Sequence, residues 1–173
     1  MKRIILLFAL IGLCMPCFAQ QLTLTTFCKT SIQSGYPDEY GRAPKVKLYD
    51  LKVQSKIEKT LVSLGFTRKA KKSQKEFDDC SGEYYTHVTW TYAKSTSAGT
   101  TTVKSDGGGS YAITFPSADA AQKFMSTVKA AGFKYNEFRE GMYAMPGNDK
   151  VYWAGVGISI SGKTVKIEAF AAA

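Results

Sequence analysis

The chain holds a single histidine, His87. Any Ser-His-Asp or Cys-His proton relay would have to use it. Around it, Tyr84, Val88, Trp90 and Tyr92 alternate with Tyr85, His87, Thr89 and Thr91. This period of two predicts a strand with His87 on the polar face, exposed to solvent and taking no part in catalysis.

Paired carboxylates are the next chemistry to weigh. Asp78 and Asp79 are adjacent, and Glu137 and Glu140 are three apart. Neighbours on an extended chain point to opposite faces, so Asp78 and Asp79 do not converge as a glycosidase pair would. Both pairs read as solvated loop acids. A calcium-loop pattern is absent, and transition-metal spacing is absent from the chain after residue 19, so no metal and no cofactor are expected. The run Asp106-Gly107-Gly108-Gly109-Ser110 is followed by strand-like sequence. A phosphate loop needs a helix N-terminus there, so the run reads as a structural turn. Gly155 and Gly157 sit inside a strand pattern and mark a bulge or close approach.

The cysteines depend on where the chain goes. Lys2 and Arg3 precede an apolar run, Ile4–Leu13, too short to span a bilayer as a helix. Pro16 breaks it, and Cys17-Phe18-Ala19 places suitable residues for signal-peptide cleavage before Gln20. Residues 1–19 are thus expected to be a signal peptide, and the rest an exported periplasmic or secreted protein without a transmembrane segment. Cys14 and Cys17 leave with the signal. Cys28 and Cys80 remain, an even count in an oxidising compartment, and a Cys28–Cys80 disulfide is expected. Closing that loop would stabilise the fold by about 4 kcal/mol in the chain-entropy picture.

The elements that carry these residues show a repeated grammar. Asp50 is a potential N-cap, Val53, Ile57, Leu61 and Leu64 form a helical stripe, and Gly65-Phe66 makes a stop. Sixty-seven residues on, Ser117, then Ala120, Phe124, Val128 and Ala131, then Gly132-Phe133, repeat it. Val46 and Leu48 fall on Ile113 and Phe115 in the same register. An internal duplication is expected. Downstream, Tyr152, Ala154, Val156, Ile158 and Ile160 form one strand face. A turn at Ser161-Gly162 leads into a second strand with Val165, Ile167 and Ala169 inward. The first half has its matching turn near Ser97–Gly99, at an offset of about 63.

The predicted fold class is α+β, a duplicated strand–helix–three-strand unit with antiparallel sheets and one helix on each. The expected organisation is an N-terminal extension over 20–41 with a strand at Leu22–Cys28. A first half over 42–106, a Gly linker at 107–109 and a second half over 110–173 complete one compact body. Two subdomains hinged at the linker are the alternative.

Charge supplies the first binding signal. The chain carries 23 Lys+Arg against 14 Asp+Glu, +9 overall, and losing Lys2 and Arg3 lowers it to +7. Residues 42–75 alone hold 11 basic and 2 acidic side chains. Lys52, Lys56 and Lys59 line the first helix, and Arg68, Lys69, Lys71, Lys72 and Lys75 follow it. Such a segment either contacts an acidic protein, an anionic glycan or a membrane surface, or guards an edge strand. Nucleic acid is a poor partner for an exported chain without a nucleic-acid-binding motif. Trp153, flanked by Gly155 and Gly157, is a second candidate, able to stack on a sugar ring or anchor a protein.

The layout resembles tandem α/β modules that bacteria export as inhibitors or envelope-assembly factors, which implies a binding role at the level of fold. The expected function is a non-enzymatic binding or interaction protein of the bacterial envelope. The alternative is an anionic-polymer or carbohydrate-binding module using residues 52–75 and Trp153. A hydrolase is the third reading.

Overall fold

A computed structural model describes residues 21–33, 47–136, 142–144 and 155–170. Residues 1–20, Val46, Glu137, Glu140, Tyr152, Trp153 and Ala154 lie outside the described residues. The fold is α+β, with antiparallel sheets and few helices.

The chain enters through α1 (Leu24–Phe27) and β1 (Cys28–Gln33), which pairs with β2 (Lys47–Leu51) in a two-stranded sheet. The strand expected over Leu22–Cys28 is therefore mostly a helical turn. Thr26, Phe27 and Cys28 are buried in succession, which a two-residue period does not allow. The Thr26 N–H donates to the Thr23 carbonyl at 3.0 Å, closing the turn.

The first long helix, α2 (Gln54–Ser63), starts later than Asp50 would set it. Asp50 lies in β2 opposite Lys29, and Val53 takes the N-cap position, 58% exposed. Ile57, Leu61 and Leu64 are buried as the stripe requires. The second, α3 (Ala118–Ala130), has Ser117 as N-cap, its Oγ accepting from the Ala120 N–H at 3.2 Å. Its buried face holds Phe124 and Val128 and extends to Ala121 and Met125. Both helices end alike. Gly65 (φ 83°) and Gly132 (φ 95°) take the left-handed conformation, and each following Phe donates its N–H five residues back, to Leu61 or Val128.

Eight strands form the main sheet in the order β3-β4-β5-β6-β10-β9-β8-β7. They are β3 (Thr67–Asp78), β4 (Glu83–Thr96), β5 (Gly99–Ser105), β6 (Ser110–Thr114), β7 (Lys134–Asn136), β8 (Met142–Ala144), β9 (Gly155–Ser161) and β10 (Thr164–Phe170). Every pairing is antiparallel. The β9–β10 hairpin turns after Ser161 as expected, and the β4–β5 hairpin repeats its register. Thr96 pairs with Gly99 and Ser161 with Thr164, an offset of 65 rather than about 63. Ala169, expected inward, is exposed.

Asp106–Gly109 joins two strands that pair with each other, β5 and β6, so it is a hairpin turn inside the sheet. Asp106 Oδ1 accepts from the Gly108 N–H at 2.9 Å and the Ser110 N–H at 3.1 Å. One face of the sheet carries Trp90, Tyr92, Val103, Ile113, Ile158, Val165 and Ile167 into a cluster shared with α1, α2 and α3. Burying each such side chain contributes about 1.5–3 kcal/mol. Trp90 is 2% exposed and meets Tyr92 edge-on at 5.3 Å.

The expected disulfide is absent: both cysteines are free. Cys28 is in the core, next to Phe27, whose ring lies 5.5 Å from that of Tyr111. Tyr111 in turn stacks on Trp90. Cys80 is exposed in the β3–β4 turn, beyond Glu83, seven residues along β4 from Trp90. At about 3.3 Å per residue that is roughly 23 Å, far beyond the ~7 Å Cα separation a disulfide can bridge.

Candidate binding surface

β3 and β4 continue past the sheet. β5 pairs with β4 only from Trp90 to Thr96, yet β4 pairs with β3 out to Glu83. From Thr89 to Glu83 the ribbon therefore has two strands and runs about 20 Å beyond its neighbour. The turn at its end is built by Asp78. Its Oδ1 accepts from the Cys80 N–H at 3.0 Å, its Oδ2 from the Ser81 hydroxyl at 2.9 Å, and its carbonyl from the Gly82 N–H at 2.7 Å. The bonds from Ser81 and Cys80 hold the Asp78 carboxyl below its ordinary range. Its oxygens close the turn.

Cross-strand register sorts the arm's side chains. Lys75 and Phe77 share a face with Thr86 and Tyr84, and Gln74 and Glu76 share the other with His87 and Tyr85. At the tip, the rings of Phe77 (51% exposed) and Tyr84 (72%) meet as a tilted pair at 5.1 Å, and Tyr85 is 48% exposed. These rings form an exposed apolar patch at the end of the ribbon. Only the spacing of Tyr84 and Tyr85 was visible in sequence. That β5 stops short of them was not.

His87 departs from the expected solvent-exposed strand histidine. Its side chain is 21% exposed and held on two sides. Nδ1 lies 3.0 Å from Glu76 Oε2, and Nε2 bonds the Asp106 carbonyl. Both partners are acceptors, which favours the doubly protonated ring. The Asp106 carbonyl, then the Glu76 carboxylate, raise its pKa against the opposing effect of burial. Glu76 is lowered by bonds from Gln74 and Tyr85, the latter at 2.8 Å, and by His87. Gly107 (φ 85°) lies against the ring: a Cβ there would fall 2.4 Å from His87 Nε2. His87 thus ties the root of the arm to the β5–β6 turn.

The basic residues divide. The Lys52 ammonium bonds the Thr25 carbonyl, and Lys71 Nζ pairs with Glu58 Oε1 at 2.8 Å. Tyr92 donates to the same Glu58 at 2.9 Å, so Lys71 fastens β3 to α2. Arg68 lies beside Tyr92. Lys56 and Lys59 are exposed on α2, and Lys69, Lys72 and Lys75 are exposed along β3, an edge of the sheet. Trp153 lies outside the described residues.

The other reactive groups are quiet. Burial pushes the Cys28 thiol up to about 12 and the Tyr111 phenol up to about 12, so both stay neutral. Among the described residues no cluster of three His, Cys, Asp or Glu could hold a metal ion, and no helix is long and apolar enough to cross a membrane. No protein-family model matches this chain, and comparison with curated proteins and with solved structures returns no significant similarity.

Proposed function

We propose that this protein is an exported, non-enzymatic binding protein that engages a macromolecular partner through the β3–β4 arm. The projection of Phe77, Tyr84 and Tyr85 beyond the last strand that supports them carries the reading. Phe77 and Tyr84 lie exposed side by side on one face, with Tyr85 on the other, and a partner's pocket would gain the burial of that pair. Lys75, two residues behind Phe77, and Lys72, at the root of the arm on the opposite face, favour a partner with acidic groups along the arm. Export rests on Lys2, Arg3, the Ile4–Leu13 run and Ala19.

We also infer that the two halves descend from one strand–helix–strands unit. Matching helix stops at an offset of 67 and matching hairpin registers at 65 support this.

The test is affinity isolation from the native envelope, comparing wild type with Phe77→Ser/Tyr84→Ser. A species retained by wild type and lost with the variant supports the reading; equal recovery by both overturns it. The second reading, an anionic-polymer module, rests on exposed Lys56, Lys59, Lys69, Lys72 and Lys75. It predicts salt-sensitive retention on a sulfated-glycan column that Lys72→Gln/Lys75→Gln weakens and the aromatic variant does not.

A further inference from the structure

At the opposite end of β4 from the arm tip, the helix side of the sheet is incompletely filled. A cavity of about 310 Å³ opens there between the first turn of α3, the stop of α2 and the β4–β5 hairpin. This is the lower end of the range for small-molecule sites. Leu22, Phe66, Phe115 and Phe124 give it apolar walls. Phe115 and Phe124 lie 5.5 Å apart as a tilted pair, and both are nearly buried. The charged side chains that line it are Lys94 and Lys123, and no acidic side chain among the described residues does. Lys94 Nζ donates to the Leu64 carbonyl at 2.7 Å, which holds the ammonium at the end of α2 and leaves two of its three hydrogens. It also stands 6.0 Å from the centre of the Phe66 ring. Lys123 stands on the exposed side of α3, one residue before Phe124.

An apolar hollow with two cations and no anion at its rim selects by charge as well as by shape. We propose that this cavity binds a small amphiphile, with an apolar body against the phenylalanines and one carboxylate head at Lys94 and Lys123. The hollow's charge and lining carry the argument. It does not rest on the arm, which lies at the far end of the same strand.

Calorimetric titration of the full chain with decanoate, and with 1-decanol as the uncharged match, tests it. Saturable binding of decanoate is expected, roughly tenfold weaker for 1-decanol and for Lys123→Gln, since a bond to a charged group contributes about 1.5–3 kcal/mol. Thr127→Trp, placed on the exposed rim, should obstruct entry and abolish binding without touching the core. A circular dichroism spectrum like that of wild type confirms that each variant is folded. Absence of saturable decanoate binding overturns the proposal. So does equal affinity for 1-decanol, or decanoate binding unchanged in both variants.

Discussion

His87 Nδ1 lies 3.0 Å from Glu76 Oε2 on the adjacent strand, while its Nε2 meets the Asp106 carbonyl nineteen residues away. His87 therefore joins the arm, through Glu76, to the turn that closes β5 and β6. The bond network on Glu76, from Gln74, Tyr85 and His87, makes its ionised form the better one in the folded state.

A pH dependence of the arm follows. The folded His87 pKa is raised, so its contribution is fully present below the unfolded value and is lost as pH rises through the folded one. Glu76 is lowered, so its contribution is lost as pH falls through its folded value. The root of the arm is best held between those two titrations. With one histidine in the chain, its ring resonances are unambiguous in an NMR titration. They should titrate above about 6.5, the ordinary value, and Glu76→Gln should move them down. An unshifted titration in wild type contradicts the contact.

The glycines of the β5–β6 turn should differ in tolerance. Gly107 has φ 85°, and an added Cβ meets His87 Nε2 at 2.4 Å and the Val88 carbonyl at 2.8 Å. Gly108 would meet only Asp106 Oδ1, at 3.8 Å. Gly107→Ala should cost about 2 kcal/mol or more in urea unfolding, and Gly108→Ala under about 1. Equal effects contradict this turn geometry.

Thiol counting separates the two cysteines. Cys28 is 1% exposed with its thiol pushed up to about 12, whereas Cys80 is exposed. In the chain without residues 1–19, which carry Cys14 and Cys17, an aromatic disulfide reagent should label one thiol in the native protein and two in guanidinium, without reductant. No labelling in guanidinium would restore the disulfide.

Local signals were the legible part of the fold. Gly65-Phe66 and Gly132-Phe133 stop helices because a left-handed glycine and a buried phenylalanine act within one turn. The alternation at Tyr84–Tyr92 located β4 and its faces. Features set by distant chain were not legible. Asp50 looks like a cap until β1 arrives to pair with it. An even cysteine count reports a compartment and contains no distance, so it could not show that Cys80 rides the arm away from Cys28. His87 found a backbone carbonyl, which has no sequence signature. The arm itself is a difference in length between β4 and β5, and side-chain alternation within one strand does not report where its neighbour ends.

Site-specific photo-cross-linking tests the binding role of the arm most directly. A photoreactive residue at Tyr84, on the tip, is compared with one at Ser126, on the exposed side of α3, in the native host. The account predicts a discrete cross-linked species from position 84 that is missing from position 126. No adduct from position 84, or the same adducts from both positions, would contradict it.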